Sequence, residues 1–390
     1  MNRQQSISFI LFFGAIAACT PPAGEPDKEP SDIEVADDAD LEAADAPDAP
    51  DDNPDDTTDA DDPDIDLGDT GETDETDETD ETDEGFDREP PTAEAFAERA
   101  QDARSERIQV HTFDASYYGY VVGTEGTIVQ IATGSMLHRD GELVSGPIDL
   151  ELIELYDKGS MLVTDMPSTG LNGAGERAQL ISGGEHYVNA TQDGEQLYLG
   201  SDMRIDAPVS NTGDPSYEMV RFRAVDADGA TAGLDDADVW VEEDAKVQVG
   251  RAETADGIQT TYSLLSGEFG WTNVDRWYSD PREKTTLEVR PPMGWDDSNS
   301  AVYLSYDGEP TALASLDTWD EDEGIFSEHY GLIPVGLEVH VIFVTATETG
   351  WAYAIEGATI AADQEITFAD ADALIDIDTD ALVEVINALP

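Results

Sequence analysis

Two stretches begin with the Asp-x-Asp spacing used by calcium loops: Asp226-Ala227-Asp228-Gly229 and Asp376-Ile377-Asp378-Thr379-Asp380. Alternate carboxylates at that spacing offer hard oxygen ligands to one cation. The first stretch lacks the bidentate glutamate that closes an EF-hand loop at its twelfth position. The second has Ala381 where the sharp turn needs glycine and Asn387 where it needs glutamate. Acidic β-turns and helix caps account for the same residues without a metal, so calcium at Asp226, Asp228, Asp376, Asp378 and Asp380 is the second reading. The densest aromatic cluster is Gly270–Tyr278, carrying Trp271, Arg276, Trp277 and Tyr278, with Trp295 and Trp319 further along. Exposed, it would be a ligand platform. The commoner arrangement buries such rings where two β modules meet, with Arg276 paired to a carboxylate such as Asp275 or Asp280. The junction is the expectation taken here.

Other chemistry finds little support. His111, His138, His186, His329 and His340 show no metal-ligand spacing, and His186 and His340 sit inside strand patterns as sheet-face residues. No G-x-S-x-G elbow, P-loop or G-x-G-x-x-G occurs. Carboxylates are so abundant that no glycosidase-type pair stands out.

The chain carries 89 Asp and Glu against 18 Lys and Arg, a net charge of −71. Phosphate binding needs clustered bases, so nucleic acid is excluded as a partner. An anionic membrane surface would repel the chain, and any attachment has to come from a lipid. Cys19 is the only cysteine, so the fold has no intramolecular disulfide. It ends the apolar run Phe9–Cys19 (FILFFGAIAAC), with Arg3 ahead of it and Pro21 and Pro22 behind. The run is about a dozen residues, where a membrane-spanning helix needs about 20. Small residues before the cysteine suit signal-peptidase cleavage. The stretch resembles the lipobox of bacterial lipoproteins. That resemblance implies a signal peptide over 1–18, a lipidated (palmitate-bearing) Cys19 as membrane anchor, and a place in the bacterial cell envelope, in the outer membrane.

Residues 25–84 hold 30 acids, one base and no aromatic, and Thr73–Glu84 repeats Thr-Asp-Glu. Such a segment cannot offset the entropy of ordering and is expected to be a disordered tether over 19–91. Thr92 is placed to cap a linker helix over 92–107 through Ala95, Phe96, Ala100 and Ala103. From Ile108 the pattern is β. Ile148, Leu150 and Leu152 alternate with acids, then Ile153 and Leu155 shift the phase, through a bulge or through burial of both faces. Asp193-Gly194 and Asp307-Gly308 each lie between alternating runs, the signal of a tight hairpin. Val339–Thr345, apolar on both sides, reads as a central strand. Leu382, Val385, Ile386 and Leu389 place a helix at the C-terminal end, over 370–389.

Gly126–Leu137 (GTIVQIATGSML) followed by Ser145–Leu152 (SGPIDLEL) resembles the ZU5 β-sandwich module, with Ala132 in place of the family's proline and Ser135 in place of its alanine. Lys158–Thr169, Leu180–Gln192 and Gly270–Tyr278 are similar to secreted bacterial proteins carrying such a module. ZU5 modules are interaction domains without catalytic residues, so the resemblance implies binding. The expected architecture is all-β: two sandwich-like modules behind the tether, short helices before and after. The ZU5-like sandwich is placed at 109–207, a connecting β region at 208–258 and a second sandwich at 259–359. The expected function is an envelope-anchored lipoprotein whose head binds or scaffolds a protein or glycan without catalysis, using no cofactor. The alternative is a glycan-directed envelope hydrolase with a carboxylate pair that the sequence does not single out.

Overall fold

The computed structural model describes residues 88–254, 257–328 and 331–390. The signal peptide, Cys19, the tether as far as residue 87, and His329 lie outside the described residues. Strands dominate, with three α-helices: α1 (Ala93–Glu106), α2 (Lys158–Val163) and α3 (Thr379–Asn387). No helix among the described residues is long and apolar enough to cross a membrane.

Four main sheets carry the fold. Sheet I has five strands in the order Gln248–Thr254, Gly257–Ser266, Met203–Pro208, Ile128–Ile131 and Gly119–Val122. Sheet II has eight, and its spine is Gln109–Asp114, Pro147–Leu155, Arg177–Gln192, Gly270–Trp277, Val220–Val225 and Val239–Lys246. Sheet III centres on Ser300–Tyr306, Glu338–Ala346 and Trp351–Thr359, and sheet IV on Leu287–Arg290. Three cores separate them. Val129, Ile131, Ile205, Leu264 and Tyr262 meet Leu150, Leu152 and Val188 between sheets I and II. Leu287, Val289 and Phe326 meet Val302, Val341 and Phe343 between sheets III and IV. The third core joins the two sandwiches: Ile153, Tyr187, Phe222 and Trp271 face Tyr303, Ile342, Val344 and Trp351, with Ala103 of α1, Met161 of α2 and Ile386 of α3 packed among them.

This layering explains the phase shift in Pro147–Leu155. Its register against both neighbours is continuous, so no bulge is present. The strand alternates where one face is covered and becomes buried throughout where both sheet faces are, from Ile153 onward. Glu338–Ala346 is the expected central strand of its sheet.

The module boundaries differ from expectation. Strands at 220–225, 239–246, 248–254 and 257–266 all belong to the first sandwich. Gly270–Trp277 is inserted between Arg177–Gln192 and Val220–Val225 in sheet II. The first sandwich therefore runs over 109–277, with no separate connecting region at 208–258 and no module start at 259. Sheet membership is set by pairing across more than eighty residues, which spacing along the chain does not reveal. The helix expected over 370–389 is also shorter. Asp370 caps a 3₁₀ turn at Ala371–Ala373, Ile375–Ile377 is a strand, and Asp378 caps α3 through Ala381 N–H at 2.8 Å. α1 begins after its Thr92 cap, yet it is no loose linker: Phe96 meets Trp351 edge-on, and Arg104 donates to the Thr164 carbonyl at 2.7 Å.

Candidate functional site

Trp271 is 1% exposed, tilted on Tyr187 at 5.4 Å, with its indole N–H donating to the Leu234 carbonyl. Trp277 packs edge-on against Phe222 and donates to Glu242 Oε2 at 2.7 Å. Tyr278 meets Tyr306 of the second sandwich edge-on at 5.1 Å. Arg276 also reaches across, to Glu309 at 3.9 Å, so neither Asp275 nor Asp280 is its partner. The cluster lies at the junction: Trp271 is buried there, while Arg276, Trp277 and Tyr278 are half-buried and engaged with Glu309, Phe222 and Tyr306.

The five calcium candidates do not converge. Asp226 Oδ1 accepts from the N–H groups of Asp228 and Ala230, closing a turn. Asp376 pairs with Arg88 at 2.7 Å, Asp378 is the α3 cap, and Asp380 lies in the first turn of that helix. No group of three metal-ligating side chains occurs among the described residues.

Three buried polar clusters lie within the fold. Glu185 and Asp275 are both 0% exposed, and Asn273 Nδ2 donates to them at 3.3 and 2.6 Å. Desolvation pushes both carboxyls well above their ordinary range, and the Asp275 charge adds to the effect on Glu185. Glu185 Oε2 and Asp275 Oδ1 have no hydrogen-bond partner. A hydrolytic pair must be open to sugar and water. This one is sealed from solvent. Lys158 donates to Ser305 Oγ at 2.7 Å, a contact with the form of a base beside a nucleophile. Ser305 is 0% and Lys158 2% exposed, so no substrate carbonyl reaches the hydroxyl. His186, likewise buried, is pushed down to about 4 by desolvation and bonds the Tyr156 hydroxyl at 2.9 Å.

The accessible constellation is the outer face of sheet I. Register places Tyr120, Gln130, Arg204 and Leu265 side by side across four strands. With strands about 4.8 Å apart the row spans about 14 Å. Tyr118 and Tyr120 are 54% and 49% exposed, and Leu265 is 54% exposed. Beneath them lies Asp206, 0% exposed although it is on the outer side. Gln130 Nε2 donates to its Oδ2 at 2.7 Å, Arg204 Nε to its Oδ1 at 2.9 Å, and the Ser263 hydroxyl donates to it as well. Tyr118 donates in turn to Gln130 Oε1. One buried carboxylate thus fixes an amide, a guanidinium and a hydroxyl beside exposed rings. A cleft of about 410 Å³ continues this face, lined by Asp202, Arg204, Arg221, Lys246, Gln248 and Ser263.

Two other cavities are less suited. One of about 570 Å³ is walled by Arg88, Trp295, Glu348 and Asp376, and its cation is consumed by the Arg88–Asp376 pair. One of about 540 Å³ holds Asn189 and Gln196, whose amides are spent on Glu151 and on each other. The sheet I face escaped the sequence reading, although Tyr117-Tyr118-Gly119-Tyr120 was a visible signal. No family model, curated protein or solved structure matches the chain.

Proposed function

We propose that this chain is an envelope-anchored lipoprotein whose all-β head binds a partner at the cell surface without catalysis, through the outer face of sheet I. The observation that carries the reading is the pairing of exposed Tyr118 and Tyr120 with polar groups ordered by buried Asp206. A sheet face that served only to be solvated would gain nothing from a fully desolvated carboxylate on its outer side. Such a group is costly unless paired, and here it prepositions donors at the surface. The likeness of Gly126–Leu137 and Ser145–Leu152 to ZU5 interaction modules supports binding, and the lipobox-like Phe9–Cys19 supports lipid anchorage.

The binding half is tested by retention of the purified head on isolated envelope polysaccharide. The Tyr118→Ala/Tyr120→Ala variant should lose retention with unchanged melting, and full retention would overturn the assignment of the face. The anchoring half is tested by labelled fatty acid. Cys19→Ala should take up none, since no thioether can form without the thiol. A Cys19→Ala chain that still incorporates label and partitions into detergent would contradict the anchor.

A further inference from the structure

We infer that the ligand of this face is an acidic polysaccharide, its sugar rings laid on Tyr118 and Tyr120 and its anionic groups held in the adjoining cleft by Lys246 and Arg204. The inference rests on the reading of the sheet I face as the binding surface and adds the ligand's chemical class. Three observations carry it.

The first is charge. The whole chain has 18 bases among 390 residues, yet three of them, Arg204, Arg221 and Lys246, line one cleft of about 410 Å³ against a single acid, Asp202. Asp206 and Glu243 pair with Arg204 and Arg221, so on a molecule of −71 this spot is locally close to neutral, with Lys246 the cation left over. The second is availability. Arg221 is committed to Glu243 and to the Leu265 carbonyl, and Arg204 is braced by Asp206 with Ser263 at 3.1 Å. Lys246 is exposed, and its side chain makes no ion pair or hydrogen bond among the described residues. It is therefore the cation with charge to give, beside an arginine already held in place. The third is shape. The row from Tyr120 through Gln130 and Arg204 to Leu265 crosses four adjacent strands and is about 14 Å long. It offers ring faces at one end and planar amide and guanidinium edges in the middle. Aromatic faces carry negative quadrupole charge that suits the C–H side of a sugar ring, and the planar groups suit its hydroxyls. The cleft volume falls within the usual range for small-ligand sites, so it takes one or two charged residues of a chain rather than a folded partner.

The remaining acids do not forbid an anion here. At physiological salt, charges beyond about 8 Å are largely screened, whereas contacts inside the cleft are not.

The test uses the purified head and three soluble probes of matched length at fixed 0.15 M ionic strength: a uronic-acid oligosaccharide, a sulfated oligosaccharide and a neutral glucan oligosaccharide. Expected is binding of an anionic probe, with the neutral one at least tenfold weaker. Lys246→Ala should weaken the anionic probe about tenfold, the effect of losing one charge-assisted contact. The two anionic arms tell carboxylate from sulfate. If the neutral probe binds equally and Lys246→Ala changes nothing while Tyr120→Ala abolishes binding, the face stands and the acidic ligand is wrong. If Tyr120→Ala and Lys246→Ala both leave anionic binding unchanged, the face itself is wrong. Failure of all three probes to bind likewise overturns the inference.

Discussion

Glu185 and Asp275 set a pH dependence that can be worked out in sign. Both carboxyls are raised in the folded state by burial, so between the ordinary carboxylate value of about 4 and the raised values the folded chain binds more protons. Their stabilising contribution is complete below that ordinary value and is lost as the pH rises through the folded-state values. His186 acts oppositely. Pushed down to about 4 from 6.5, it leaves the unfolded chain binding more protons in that interval, so its contribution grows as the pH rises across it. The Glu185→Gln/Asp275→Asn variant should therefore melt above the parent at pH 7 and lose the decline toward alkaline pH. Calorimetry from pH 5 to 9 checks this, and a variant that melts lower at pH 7 would show the acids to be ionised and paired. His186 was legible as a strand residue and Asp275 only as a possible partner of Arg276; the pairing of Glu185 with Asp275 did not stand out in a sequence where an acid is one of 89. Asp206 was equally hidden, because its partner Gln130 lies 76 residues away. Tyr118 and Tyr120 were visible as types, but only strand register places them beside Arg204.

At the level of elements, local turn and cap chemistry was legible and pairing was not. Asp193 and Gly194 both have positive φ, as a type I′ hairpin requires. In the Asp307-Gly308 hairpin only Gly308 does, because the returning strand begins later, at Leu313. Thr92 caps α1 as its residue type predicts, and Thr92→Ala should cost about 1 kcal/mol. The alternation of Ile148–Leu152 was correct, but what lay on its second face needed the other sandwich. The same holds for Trp271, whose strand sits between partners at 180–188 and 220–223. Trp271→Ala should destabilise the head by about 3–5 kcal/mol, as deletion of a large buried ring does. Denaturant midpoints measure it, and a loss below about 1 kcal/mol would contradict its place in the core.

For the whole molecule, the core shared by both sandwiches has a direct consequence. Ile153, Trp271, Ile342 and Trp351 belong to one buried cluster, so neither sandwich can open without exposing the other's apolar face. The head should unfold in a single calorimetric transition, and two resolved transitions would refute the coupling. Charge acts at this scale too. Residues 85–390 keep 59 acids against 16 bases, a net of −43. Self-repulsion of that size is relieved by salt, so the melting temperature should climb from low to moderate NaCl. Calcium at matched ionic strength should add nothing specific, given that Asp226, Asp376 and Asp378 are already engaged. A rise with calcium alone would reverse that conclusion.

The central claim, that the outer face of sheet I takes the ligand, is tested most directly by titrating tyrosine ring-labelled head with the bound oligosaccharide and following ring resonances by NMR. The account predicts shifts at Tyr118 and Tyr120, with Tyr187 and Tyr198 of the other cavity unmoved. Shifts confined to Tyr187 and Tyr198 would contradict it.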